Sequence, residues 1–293
     1  FPISILDAIT TPIISCKAKF NLMKEPFITS NLLDESVTSF FSRRLGSEVS
    51  NYLIDPFVSG TFAGNPDNLS IKHAFPILKN NEIKYGSLLK GLWESRNEKN
   101  LNQCKRQIIS FKNGLQELPL AIEKNIGNNI YINSFVKSIK RINSMFELTF
   151  QTNSKIQKKL YNSIVIATET NSIPKLVDSI LDITFKNTIK SVFYPPVAII
   201  NFGIKSEQIK KIISGFGILI PKKEKKNILG ILFNSMMFPN RSPVKHELIS
   251  VFMGGSRHPD IIEKKRELKN IAWKDLQSIL GVNGEPQFYS QKI

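Results

Sequence analysis

The chain has 293 residues, 41% hydrophobic and 22% charged, a balance that excludes a disordered tail or a fibrous repeat. Forty Lys and Arg against 24 Asp and Glu leave a net charge of +16, which favours anionic partners such as acidic lipid headgroups or carboxylate-bearing substrates. No block of five like charges is present, so Lys spread over solvated faces accounts for the excess equally well, and no nucleic-acid partner is expected.

Two cysteines, Cys16 and Cys104, stand far apart without a CxxC or a nearby His pair, so neither a disulfide framework nor a metal site is expected. No apolar run reaches the roughly 18 residues of a membrane-spanning helix. The N-terminus shows neither a signal peptide nor a transit sequence, and it opens without Met in mid-pattern, which reads as a fragment.

Residues 1–105 read as helices joined by tight turns. Asp34 is placed to cap a helix carrying Val37, Phe40, Phe41 and Leu45, ended by Gly46. Ser47 is placed to start a second, stopped by Pro56. Ser70 and Ser87 start two more, the last carrying Leu88, Leu89, Leu92 and Trp93. These helices are more apolar than a lone surface helix needs, and Lys24, Lys79, Lys84 and Lys90 surround them. Such a pattern fits a plain helical subdomain and also a lobe lying on a membrane surface.

Past residue 106 the period shortens. Strands are expected over 107–111, 130–133, 135–142, 146–152 and 160–167, with a helix from Gly114 to Ile126 among them. Ser163 to Ala167 reads as a buried run. From 176 onward a mixed sheet is expected, with strands over 197–202, 217–220, 228–233 and 248–253, then an amphipathic helix over 260–280 ended by Gly281. His258, before Pro259, reads as a helix-entry turn rather than a ligand.

Short motifs carry little. Gly215-Phe216-Gly217 runs into a strand and a proline instead of a helix, so it is not a phosphate loop. No GxGxxG, GxxxxGK[ST] or GxSxG occurs, and no catalytic acid or base is assigned. What remains is a set of apolar, glycine-bearing segments: Ala63 with Gly64, Leu219, Leu232, and Phe252 before Gly254-Gly255. Their pattern is that of core, and equally of a flat apolar pocket with small residues beneath and bulky ones above.

Three long segments go further than any motif. DESVTSFFSRRLGSEVSNYLIDPFVSGTFAGNPDNLSIKHAFPIL, GFGILIPKKEKKNILGILFNSMMFPNRSP and VFMGGSRHPD resemble the protoporphyrinogen IX oxidases of the flavin-containing amine oxidase superfamily, nearest the plant type. The resemblance runs from about residue 12 to residue 290. It implies an α/β FAD-binding fold of the glutathione-reductase-like type, a mixed-sheet substrate domain and a helical membrane-associated lobe. Residues 1–105 would belong to the lobe, 106–175 to the FAD domain and 176–293 to the substrate domain.

By the same resemblance Val136, in INSFVKSIKR, matches a residue whose backbone contacts the FAD adenine. Ala63 matches a small residue packed against the tetrapyrrole, Leu219 and Leu232 a pair on one face of a substrate ring, and Phe252 a residue on the other face. The implied reaction is the six-electron oxidation of protoporphyrinogen IX to protoporphyrin IX, with FAD as cofactor and molecular oxygen as acceptor. A membrane surface is an implied partner and a homodimer an implied assembly. The implied location is an organellar membrane in a eukaryote, otherwise the cytoplasmic face of an inner membrane.

The family's N-terminal GxGxxG, its propionate-pairing arginine and its C-terminal FAD segment are not in this sequence. The chain is therefore expected to be a central fragment that binds FAD poorly by itself. A coproporphyrinogen-oxidising or desaturase-type relative, or a scaffold that kept the fold without the cofactor, fits the same residues.

Overall fold

A computed structural model of the protein describes residues 10–99, 109–177, 179–211 and 215–293. The chain divides into two compact units, one of residues 1–103 and 195–293 and the other of residues 104–194.

The first unit opens with α1 (Cys16–Met23), capped by Ser15, whose hydroxyl accepts from Ala18 N at 3.2 Å. A 3-10 turn follows at Glu25–Phe27, then α2 (Val37–Leu45). Ser36 caps α2, not Asp34, accepting from Ser39 N at 3.1 Å. Asp34 instead accepts from Ser70 Oγ at 2.7 Å and so ties two helix entries together. Ser36 directly precedes the first helical residue, Val37, whereas Asp34 stands two residues further back.

The next helical run overturns the expectation that Pro56 stops it. α3 (Ser47–Val49) begins after Gly46 without a side-chain cap, widens into a π-helical turn at Ser50–Ile54, and passes into α4 (Asp55–Phe62). Pro56 lies in the first turn of α4. A π turn spaces its hydrogen bonds at i to i+5, so the ring meets no carbonyl in the place where an α-helix would put one. The run ends at Ala63, whose φ of 51° and ψ of 16° are left-handed. Three further helices, α5 (Ile71–Ala74), α6 (Pro76–Tyr85) and α7 (Leu88–Lys99), complete this part. Ser70 and Ser87 cap α5 and α7 as expected, accepting from His73 N and Lys90 N.

A buried ion network holds these helices. Glu82, fully buried, accepts from Arg44 Nε at 2.9 Å, Arg43 Nη2 at 2.8 Å and Lys79 Nζ at 2.9 Å. Glu25, equally buried, accepts from Leu88 N at 2.8 Å and Ser87 Oγ at 2.6 Å and lies 3.2 Å from Arg44. Charges this deep persist only when every one is paired.

The second unit contains α8 (Glu117–Ile126), closed by Gly127, and an antiparallel sheet of β1 (Ser134–Ile142), β2 (Met145–Thr152) and β3 (Lys155–Tyr161) in that order. α9 (Ile173–Leu176) and α10 (Ile183–Lys190) follow. Residues 130–133 form a turn, and 163–167 form no strand, with Val165 92% exposed. An apolar run finds no ladder here to join, and so the expected buried strand does not form. The strand expected over 107–111 lies partly outside the described residues, as does Cys104. Residues 109–111 are irregular.

Back in the first unit lie β4 (Val197–Lys205), β5 (Gly217–Leu219), β6 (Ile228–Phe233), a short α11 (Asn234–Met237), β7 (His246–Gly254), α12 (Leu268–Leu280) and β8 (Phe288–Lys292). The sheet order is β5-β6-β7-β4-β8, and every pairing is antiparallel, so the expected mixed sheet is a wholly antiparallel one. α12 starts at Leu268 rather than 260, because Pro259–Glu263 forms a 3-10 turn with His258 at its entry. One sheet face, with Ala198, Ile200, Phe202, Ile231, Val251 and Met253, packs on Leu268, Ala272, Trp273, Leu276 and Leu280 of α12. Each fully buried Leu or Ile there contributes roughly 1.5–3 kcal/mol.

Candidate functional site

Because successive strand residues alternate faces, the other face of this sheet is fixed by the register. One row across the five strands reads Gly217, Leu232, Ser250, Asn201, Ser290. Its neighbour reads Leu219, Gly230, Phe252, Ile199, Lys292. Leu219, Leu232 and Phe252 therefore share a half-exposed face on three adjacent strands, opposite the core.

Glycines shape this face. A Cβ on Gly217 would collide with the Ile231 carbonyl and stand 3.1 Å from Leu232 Cδ2, and one on Gly230 would stand 2.9 Å from the Ile218 carbonyl and 3.5 Å from Leu219 Cδ2. Each leucine lies directly across from the glycine of the neighbouring strand, and the two pairs place their leucines on opposite strands. The result is a shallow apolar floor where four side chains would have made a ridge.

α4 borders the floor. A Cβ on Gly60 would overlap Leu219 Cδ2, so this turn of the helix rests directly on that leucine. Three residues on, the Ala63 carbonyl accepts from Ser256 N at 2.7 Å, and a Cβ on Gly255 would stand 3.3 Å from that of Ala63. A cleft of about 460 Å³ reaches Leu219 from the side of Tyr52, Leu53 and Pro56.

Arg257 fixes α4 in this place, a role the sequence gives no sign of. Its Nη2 donates to Asp55 Oδ2 at 3.0 Å and Ser59 Oγ at 2.9 Å, and its Nη1 donates to Ile220 O at 2.6 Å. Burial lowers the Arg257 pKa against the opposing pull of Asp55. His258 is held below the usual imidazole value by burial and by the neighbouring guanidinium, which leaves it neutral at pH 7. Next to the clamp, a second cleft of about 400 Å³ carries Lys222, Lys223 and Lys225 on its wall.

A polar chain crosses the floor's middle strands. Asn234 Nδ2 donates to Ser250 Oγ, which donates to Asn201 Oδ1, and Asn201 Nδ2 donates to Ser290 Oγ at 3.1 Å. These four residues are dispersed in sequence, and only the register brings them together.

Val136 lies in the second unit, on β1. The pairing with β2 slips between Val136 and Ser138, so Lys137 is an extra residue and the ladder is interrupted beside Val136. Val136 is 39% exposed. Among the described residues no group of three His, Cys, Asp or Glu side chains could hold a metal ion.

Residues 17–292 match the family model described as flavin containing amine oxidoreductase. The chain belongs to that family. This amine oxidoreductase chain is 34% identical over 317 residues to the chloroplastic/mitochondrial protoporphyrinogen oxidase 2 of Arabidopsis thaliana, covering 97% of the chain and 62% of that protein. It is 32% identical over 320 residues to the mitochondrial protoporphyrinogen oxidase of Nicotiana tabacum, covering 98% of the chain and 64% of that protein. The chain thus spans less than two thirds of the length of these curated relatives. Among solved structures, a putative protoporphyrinogen oxidase from Exiguobacterium superposes with a TM-score of 0.77 at 19% identity, over 99% of this chain and 64% of that one. The fold is the mixed α/β fold of the amine oxidases.

Proposed function

We propose that this amine oxidoreductase chain forms the substrate-holding part of an oxygen-dependent protoporphyrinogen oxidase, which converts protoporphyrinogen IX to protoporphyrin IX. The observation that carries the reading is the floor of Leu219 and Leu232 lying across from Gly230 and Gly217, bordered by Phe252 and by the small residues of α4. A flat, broad, apolar ligand suits that surface better than a slender amine does. Ala63 ends α4, which borders the floor at Gly60, and in this reading its small methyl group leaves room for the ligand.

At Val136 the chain offers one contact that fits FAD. The interrupted ladder beside Val136 leaves main chain available for the adenine contact, and such a contact needs no particular side chain. FAD, when bound, takes up the electrons removed from the substrate and passes them to oxygen as hydrogen peroxide. The chain's own residues bind, orient and shield the macrocycle. Residues 1–105 serve in this reading as a lobe, 106–175 as part of the FAD domain and 176–293 as the substrate domain.

The lobe also docks on a membrane surface. Phe27 is 88% exposed, Met23 and Trp93 are 70% and 65% exposed, and Lys24 and Lys90 stand among them to meet lipid phosphates. No helix of the described residues is long and apolar enough to cross a membrane.

The test is turnover. With the family's flavin-holding N- and C-terminal segments supplied in trans, and with FAD, oxygen and protoporphyrinogen IX, the protein is expected to release porphyrin fluorescence with three molecules of peroxide for each porphyrin. Oxidation of a primary amine with no porphyrin formed would overturn the reading.

The cleft lined by Lys222, Lys223 and Lys225 favours a second substrate with more carboxylates, coproporphyrinogen. Comparing kcat/KM for the two porphyrinogens separates them.

A further inference from the structure

The polar chain on the floor is unexplained by a purely apolar grip. Ser250 lies directly across from Leu232, and Asn201 across from Ser250, so polar groups begin one strand spacing, about 4.8 Å, from the leucine. Ser250 is only 6% exposed, and its hydroxyl accepts from Asn234 and donates to Asn201. Asn201 spends its carbonyl on Ser250 and one N–H on Ser290. With the Asn234 Nδ2 engaged by Ser250, its Oδ1 accepts from no group among the described residues.

We propose that Asn234 Oδ1, oriented through Ser250 and Asn201, accepts a hydrogen bond from a pyrrole N–H of the reduced tetrapyrrole and so distinguishes porphyrinogen from porphyrin. The proposal rests on the tetrapyrrole reading above and deepens it. A porphyrinogen has saturated bridging carbons, so its rings pucker and its N–H groups tilt out of the mean plane toward one face. A porphyrin is flat and conjugated, and its two N–H bonds lie in the ring plane, aimed at one another. An acceptor in the floor therefore meets an N–H of the substrate and none of the product. Leu219, Leu232 and Phe252 bind either form by contact, and Asn234 adds selectivity for the form to be oxidised. Hydrogen bonds in series polarise one another, which strengthens the carbonyl at the free end of this row. Asn234 is thus a specificity-determining residue, with Ser250 and Asn201 as positioning residues.

Anaerobic competition titration in FAD-free protein tests this, with protoporphyrin IX fluorescence as the signal and protoporphyrinogen IX as competitor. The wild type is expected to prefer the porphyrinogen about fivefold, the worth of one neutral hydrogen bond. Asn234→Leu is expected to lose that preference while still binding porphyrin. Asn234→Asp retains it, because the acceptor oxygen remains, whereas a purely structural role as donor to Ser250 would be lost in both variants. Equal affinities in the wild type, or an unchanged preference in Asn234→Leu, would overturn the selectivity while leaving the tetrapyrrole site in place. Failure of the wild type to bind either tetrapyrrole would overturn the site itself, and the proposal with it.

Discussion

Gly60 of α4 rests on Leu219 of β5 with no room for a Cβ between them. The helix that carries the small residues and the strand that carries the first leucine of the floor are thereby set at backbone-to-side-chain distance. Gly60→Ala is expected to swing the flexible Leu219 tip away, not to break the fold, because Ala is favoured over Gly inside a helix by roughly 0.5–1 kcal/mol. Melting temperature then changes little while the Kd for protoporphyrin IX rises severalfold. A large loss of stability with Kd unchanged would show that the contact is packing alone.

The clamp between Arg257 and Asp55 carries a different prediction. Removing Asp55 leaves a guanidinium with 5% side-chain exposure facing only neutral acceptors. Asp55→Ala is expected to cost about 3 kcal/mol in urea unfolding. Adding Arg257→Met should recover part of that loss, since the uncompensated buried charge goes with it. Additive losses in the double-mutant cycle would refute the pairing.

Glu82 makes stability depend on acid. Burial works to raise its pKa, but hydrogen bonds from Lys79 and Arg43 outweigh that, and the folded-state value lies below the ordinary 4.5. A depressed carboxyl contributes fully above the unfolded value and loses its contribution as pH falls through the folded one. Unfolding free energy is thus expected to be level above pH 4.5 and to fall below it. In Glu82→Gln that acid slope flattens, with lower stability at neutral pH because Arg43, Arg44 and Lys79 lose their common carboxylate. An identical slope in the variant would place the acid sensitivity elsewhere.

On the lobe, Phe27→Ser and Trp93→Ser each remove an aromatic ring from the surface assigned to lipid. Burying such a side chain is worth roughly 1.5–3 kcal/mol, so each change is expected to weaken binding to anionic vesicles about tenfold or more in a flotation assay. Raising salt weakens it further by screening Lys24 and Lys90. Binding that is indifferent to both substitutions would remove this surface from consideration.

Much of the fold was legible in local pattern. The apolar runs over 197–202 and 228–233 and the caps at Ser70 and Ser87 are short-range signals, and the elements form where those signals stand. Errors arose where a distant partner decides. Ser163 to Ala167 has the composition of a buried strand, but a strand exists only with a neighbour to pair with, and Val165 is exposed. Pro56 ends an α-helix in isolation, yet a π turn before it takes away the clash. β8 carries no such local signal, since FYSQK shows its place only against β4.

The site divides along the same line. Ala63, Leu219, Leu232 and Phe252 stand out in sequence as small or bulky residues next to glycines. That three of them share one sheet face follows from register, which a strand's own residues do not determine. Arg257, Asn201 and Ser250 look like ordinary polar residues until their partners, far away in sequence, are placed beside them.

The central claim is that the floor between α4 and the sheet holds a tetrapyrrole, and equilibrium binding of protoporphyrin IX to wild type and Ala63→Leu tests it most directly. Followed by fluorescence, the wild type is expected to bind with a saturable curve. Ala63→Leu should bind at least tenfold more weakly, with its melting temperature lowered only by the modest cost of a leucine in the left-handed region. Equal affinity in the two proteins, or no saturable binding by the wild type, would contradict the account.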